Sequence, residues 1–430
     1  MSFTEEVVAG DVLLDASECI GPAQAEFGVK GVGPTAVTLT DDTFGRHVLY
    51  LGGIGTGKTV GITALVRSVR EAMGPNDTMV VFDTKGDYHG MFGRHGDAVI
   101  AAAPDSTYEG QVSWNFFEEF QDLPVGRDPE DEIFEMCTGL FSQAVAEAGD
   151  NKFFAQAARD VFTALVTAVF RKGGDLSNAD MRKLTELSLH EMKAMLEPHQ
   201  DLRGVRHYLV DEESPTAQSA LSGMQQVIQE SFRSTFGKMG AFSIRRFVRS
   251  KGAKALFLEY DIASGGMLAP VFKTMIDVAM KEAMSRQRAD GRVFFVLDEF
   301  ALLPELTHLS NGLNFGRSLG LRFIVGTQNI KQVQAMYGPE MAASVLSAFG
   351  TVFAFRLFDG DSRDFVRGRF GQNRKISRLA SSVRSNGMQE GLVEGWVVED
   401  WDLSSLGIGM CIAAVPGHPP VRFTFAPPAI

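Results

Sequence analysis

HVLYLGGIGTGKTVG (residues 47–61) runs an apolar, strand-type segment straight into a turn of glycines around a single lysine. Residues Gly52, Gly53, Ile54, Gly55, Thr56, Gly57, Lys58 and Thr59 fit the pattern G-x-x-x-x-G-K-[ST]. Glycines let a backbone wrap tightly and turn its N–H groups toward one anion. The following segment, VGITALVRSVREAM (60–73), has helical spacing, and a helix N-terminus adds its own positive end. A glycine-rich turn that merely contains a lysine is the alternative, and the flanking strand and helix argue against it. The stretch therefore predicts a phosphate-binding loop for a nucleotide, ATP, with Lys58 reaching the β and γ phosphates and Thr59 binding Mg²⁺.

Further apolar runs recur at 78–83 (TMVVFD), 255–261 (ALFLEYD), 292–299 (RVFFVLDE), 321–327 (LRFIVGT) and 351–358 (TVFAFRLF). Most are continuous rather than alternating, as in strands buried on both faces of a parallel sheet. Helical patterns separate them, for example 271–288, so the fold class is α/β. Residues 120–248 hold almost no strand pattern. They read as helices at 153–172, 178–197 and 214–239, the last with a Ser-Pro start signal. The expected organisation is a nucleotide-binding domain in two parts, 1–119 and 249–430, with an all-α domain inserted between them. Residues 373–390 are polar and basic and read as a mobile loop.

The 430 residues carry a net charge of −12, which excludes a uniformly basic surface but not a basic lumen in a ring. Cys19, Cys137 and Cys411 lie far apart and follow no metal spacing, as in a reduced cytoplasmic chain. No run of about 18 apolar residues predicts a membrane span.

RVFFVLDEF (292–300) ends a strand in two carboxylates. Asp298 would hold Mg²⁺ through a water, and Glu299 would orient or deprotonate the attacking water. LRFIVGTQN puts Gln328 at another strand end, where an amide can touch a γ-phosphate. Strand-end capping is the plain alternative for each.

Taken in order, the loop, VVFDTKGDYHGMF (80–92), SWNFFEEF (113–120), DNKFF (150–154), LDEFALLPEL (297–306), GLNFGRSLGLRFIVGTQNIKQVQAMYG (312–338) and GIGMCIAAVPGHPPVRF (407–423) resemble the coupling ATPases of conjugation and type IV secretion, the TraG/TraD class. The likeness spans about residues 30 to 425, and its most specific part is the GRSLGL block. It implies a RecA-like motor domain, an inserted all-α domain and a homohexameric ring. It implies ATP-driven transfer of single-stranded DNA with its relaxase, or of protein substrates, to type IV secretion channel components. It also implies that Arg317 serves the neighbouring subunit's ATP site; a surface arginine in a salt bridge is the alternative. Lys85 and Asp87 fall in the family-like turn without an assigned role. Members of the class usually carry N-terminal membrane helices. This sequence contains none, so a cytoplasmic chain that reaches the inner face of the cell membrane through an anchoring partner is expected.

Two basic clusters are candidates for DNA contact: Arg245, Arg246, Arg249, Lys251 and Lys254, and Arg363, Arg367, Arg369, Arg374, Lys375 and Arg378. Ordinary ion pairing is the competing reading for both. A DNA translocase of the chromosome-segregation or HerA type would share the fold, but the helical insertion and the GRSLGL block disfavour it. An ATP-binding recruiter that hydrolyses little is disfavoured by the complete set Lys58, Thr59, Asp298, Glu299 and Gln328.

Overall fold

The structure, a computed structural model, describes residues 3–103, 107–211, 213–263, 265–285, 291–380 and 388–427. Strands β1 (Phe3–Ala9), β2 (Leu14–Asp15), β3 (Cys19–Ile20), β4 (Phe27–Lys30) and β5 (Ala36–Leu39) come first. Strands β6 (Val48–Leu51), β7 (Thr78–Asp83) and β8 (Ala98–Ala101) follow. After a helical stretch come β9 (Lys254–Glu259), β10 (Val293–Leu297), β11 (Leu321–Thr327) and β12 (Thr351–Ala354). Strands β13 (Gln372–Ala380), β14 (Met388–Trp396), β15 (Met410–Ala414) and β16 (Val421–Thr424) complete the described chain.

Ten of these form one sheet in the order β2-β16-β15-β12-β6-β11-β10-β7-β9-β8. Strand β15 pairs antiparallel with β12 and β16, and the other pairings are parallel. One strand, β11, separates the glycine-loop strand β6 from the Asp-Glu strand β10, the arrangement of a RecA-like core. Each continuous apolar run is divided between two cores, because side chains alternate across a sheet. Leu49, Leu51, Val80 and Phe82 enter one core, and Val48, Tyr50, Met79 and Val81 the other. Helix Lys58–Ala72 covers the second face with Ile62, Leu65, Val66 and Val69. Helix Gly265–Ala283 covers the first.

Between β8 and β9 the described chain contains helices and no strand. Their core is continuous with that on the Gly265–Ala283 face. The stretch 178–197 does not form the single helix its periodicity suggests. It breaks into Asn178–Glu186 and Leu189–Leu196, because Ser188 and Glu191 close a capping box that starts a new helix. Helix Pro215–Ser231 begins as expected, with Ser214 as N-cap and Pro215 in the first turn. Residues Gly149–Lys172 are long and apolar enough to cross a membrane by length and composition alone, although they contain no continuous apolar run, and half of their most apolar stretch is buried inside the fold. The helix packs between Pro129–Glu147 and Pro215–Ser231, as a core helix does.

The described part of 373–390 is not a loop. Strand β13 pairs antiparallel with β14 and with β1 in a separate three-stranded sheet. A third small sheet joins β3, β5 and β4.

Most of the first basic cluster is engaged in holding this architecture. Arg245 is 1% exposed and pairs with Glu132 (2.8 Å) and Glu282 (3.3 Å). Its Nε donates to the Glu119 carbonyl at 3.0 Å. The Glu119 carboxylate in turn accepts from the amides of Ile244 and Arg245, the Ser243 hydroxyl and the Trp114 indole. Arg249 pairs with Glu282 at 3.0 Å and Arg246 with Glu118 at 2.6 Å. Lys251 is buried and donates to the Arg292 carbonyl. Ion pairing is thus the structural outcome for Arg245, Arg246 and Arg249, because acidic partners from three chain segments converge on them. Arg245→Ala leaves its carboxylate partners short of a buried cation, so we expect it to cost about 3 kcal/mol of unfolding free energy. A shift of the urea midpoint with unchanged slope checks this.

Candidate nucleotide site

The glycine loop closes on itself and on its neighbours. Gly55 and Gly57 have φ of +73° and +102°, a region that favours glycine. The Thr56 hydroxyl donates to the Gly53 carbonyl at 2.8 Å. Three backbone bonds anchor the loop: Gly52 N to the Thr327 carbonyl (3.2 Å), Gly53 N to that of Arg356 (3.1 Å), and Gly409 N to that of Thr56 (2.9 Å). A Cβ on Gly57 would lie 2.8 Å from Gly409 N, so packing as well as ligand access demands glycine here. Ile54 stands 79% exposed at the tip. Helix Lys58–Ala72 starts with no side-chain cap, so its first amides are not capped from within and can serve an anion.

Strand order then brings distant residues to this loop. Glu299 follows β10 and Gln328 follows β11, both at the strand ends beside the loop. Lys58 Nζ lies 3.5 Å from Glu299 Oε2, and Gln328 Nε2 donates to the same oxygen at 3.0 Å. Lys58 is only 8% exposed. Burial pushes its pKa down, and the carboxylates of Glu299 and Asp298 oppose that shift. Burial pushes the Asp298 carboxyl up, against the nearby cations of Lys85 and Lys58. Among the described residues Asp298 Oδ2 and Glu299 Oε1 are buried with no partner in hydrogen-bond geometry, and the Tyr88 hydroxyl is the polar group facing the Asp298 carboxylate. Orphaned carboxylate oxygens beside a lysine, a hydroxyl and uncapped amides form a donor set that a phosphate chain and a hard cation would complete. Among the described residues no group of three or more His, Cys, Asp or Glu side chains could hold a metal by itself.

The site also contains a residue that sequence reasoning left without a role. Lys85 Nζ donates to the Thr59 hydroxyl at 3.0 Å. The turn that presents it is built by Asp83, whose carboxylate accepts from the amides of Lys85, Gly86 and Tyr88. The family-like TKGD turn was the available signal, but only the β10-β7 pairing puts it beside the loop. Asp87, by contrast, is exposed in the first turn of helix Asp87–Phe92.

Arg317 is not at this site. It lies before β11, whereas Gln328 lies after it, and a seven-residue strand is about 20 Å long. Its head pairs with Asp42, its stem lies against Gly45, and 45% of its side chain is exposed.

The second basic cluster is also largely paired. Arg363 binds Asp400 (2.6 Å), Arg367 binds Asp364 (3.1 Å), and Arg369 donates to the carbonyls of Phe349 and Gly350. Lys375 binds Glu399 at 3.0 Å, while Arg374 is exposed, 3.8 Å from Glu394. The side chain of Arg378 lies outside the described residues.

The chain is similar to known proteins along most of its length. Residues 34–392 match the family model described as the type IV secretion-system coupling protein DNA-binding domain. Coupling protein TraD of Escherichia coli (strain K12) is 26% identical over 178 residues, 39% of this chain and 25% of the relative. Conjugal transfer protein TraG of Agrobacterium fabrum (strain C58 / ATCC 33970) is 22% identical over 387 residues, 83% of this chain and 55% of the relative. The chain thus spans about a quarter and about half of these two relatives. A solved structure of plasmid coupling protein TrwB in complex with ADP and Mg²⁺ superposes with a TM-score of 0.76 at 19% identity, covering 100% of this chain and 96% of that one. With a family model covering most of its residues, a RecA-like sheet and a phosphate loop at its centre, this chain belongs to the type IV secretion-system coupling protein DNA-binding domain family.

Proposed function

We propose that this chain is an Mg²⁺-dependent ATPase of a coupling protein. It moves single-stranded DNA with its attached relaxase, or protein substrates, toward a type IV secretion channel. The observation that carries the reading is the convergence of Lys58, Glu299 and Gln328 from three separate segments onto one contact beside the loop. TrwB, similar in fold, was solved with ADP and Mg²⁺. Residues 1–119 and 249–430 are assigned to the motor and 120–248 to the inserted helical domain.

The Gly52–Thr59 loop cradles the phosphates through the amides that follow Gly53, since those of Gly52 and Gly53 anchor the loop itself. Lys58 exchanges Glu299 for the γ-phosphate as its partner. Thr59 and, through a water, Asp298 would hold Mg²⁺, which would supply charge neutralisation on the transferring phosphoryl group. Glu299, freed from Lys58, orients the attacking water and takes its proton, and Gln328 contacts the γ-phosphate. Arg317 faces the site of the next subunit in a homohexameric ring. In cells the chain works at the cytoplasmic face of the membrane, recruited by an anchoring partner.

ATP turnover measured with and without single-stranded DNA tests the reading. Wild-type protein is expected to hydrolyse ATP faster with DNA. Glu299→Gln is expected to bind ATP and to turn it over at least about 10²-fold more slowly, since an amide cannot accept the proton. Turnover unchanged in Glu299→Gln, or indifferent to DNA and to every transferred substrate, would refute it.

A further inference from the structure

The hydrolytic residues all stand on one flank of β6. Gln328, Glu299 and Lys85 follow β11, β10 and β7, successive strands on that side. The other flank of β6 is β12 and then β15. A nucleotide whose γ-phosphate meets Lys58 and Glu299 extends along the glycine loop away from them, so its nucleoside reaches the β12 flank.

An aromatic side chain waits there. Phe358 follows β12 and is 64% exposed. Its ring edge packs on the loop, because a Cβ on Gly53 would lie 2.3 Å from Cε2 and 2.5 Å from Cδ2. The Arg356 guanidinium lies over the ring, 5.3 Å from its centroid, and Arg356 Nε is buried without a hydrogen-bond partner among the described residues. Arg363 braces the segment by donating to the carbonyls of Leu357 and Phe358 while bound to Asp400. Ile408, 75% exposed, borders the same loop through the Gly409–Thr56 bond. A ring whose edge packs on the loop, backed by a cation and open to solvent, is the chemistry that stacks a base.

Building on the nucleotide site proposed above, we propose that Phe358 is the platform for the purine base of the bound nucleotide, with Arg356 behind it. The base lies on the ring face opposite the guanidinium, while the loop holds the phosphates.

Calorimetric titration of the full chain with Mg-ATP and with Mg-tripolyphosphate, which has the phosphates but no base, tests this. In Phe358→Ala, ATP affinity is expected to fall roughly tenfold, within the range of one base–aromatic stack, while tripolyphosphate affinity stays unchanged. Phe358→Leu keeps an apolar side chain on Gly53 for folding and is expected to lose ATP affinity likewise. Phe358→Trp is expected to retain it. Equal weakening of both ligands would reduce Phe358 to a support for the loop, and unchanged ATP affinity would put the base elsewhere; either overturns the platform and leaves the nucleotide site standing. A wild-type chain that binds neither ligand overturns both.

Discussion

Lys58→Ala is expected to leave a folded chain whose ATP turnover is lower by at least about 10²-fold, the scale set by removing one charge-stabilising donor from an active site. The amine is buried between Glu299 and Asp298, so no water-borne cation readily replaces it. Folding survives because the loop is closed by backbone bonds to Thr327, Arg356 and Gly409 and by the Thr56 hydroxyl, none of which uses the lysine. The nearest remaining cation, Lys85, is engaged with Thr59 rather than with Glu299. Steady-state hydrolysis together with a urea melt separates the two effects: the rate falls while the unfolding transition stays cooperative. Wild-type turnover in Lys58→Ala would place the chemistry at another site.

If Arg317 serves a neighbouring site as proposed, Arg317→Ala is expected to lose about 10³–10⁵ in turnover, the contribution of catalytic arginines in nucleotide hydrolases. The length of β11 separates Arg317 from Gln328, so it cannot serve the Lys58 site of its own subunit without the core coming apart. Its exposure leaves it available to a neighbour instead. An equal mixture of Arg317→Ala and Lys58→Ala chains is therefore expected to recover activity that neither has alone. In a ring with head-to-tail interfaces, roughly one quarter of the sites pair an intact Lys58 with an intact neighbouring Arg317. Recovery is expected to vanish on dilution, as rings dissociate. Full activity in Arg317→Ala at ring-forming concentrations would leave it a surface partner of Asp42.

Much of this was readable in the chain. The six apolar runs are strands because residues buried on both faces of a parallel sheet cannot alternate with polar ones. The loop pattern and the Asp-Glu and Gln strand ends were readable because their chemistry is local: glycines for φ, a lysine for charge, carboxylates at a strand terminus. The failures are equally physical. Helical periodicity continues through 178–197, but the cap at Ser188 wins over it. The basic stretch after residue 372 carries no apolar alternation, yet pairing with β1, more than 360 residues earlier in sequence, makes it a strand. Clustered arginines look alike whether they face DNA or a buried glutamate, and Glu119, Glu132 and Glu282 are too distant in sequence to be read as the partners of Arg245 and Arg249.

By itself, then, the sequence determined which segments could bind phosphate, end in carboxylates and form a doubly covered sheet, because each property resides in a few consecutive residues. Tertiary structure alone decided the company each residue keeps. The order β6-β11-β10-β7 brings Lys58, Gln328, Glu299 and Lys85 to one edge and leaves Arg317 at the other. Lateral strand order depends on which apolar faces pack against which helices, and that free energy belongs to the whole core rather than to any local stretch.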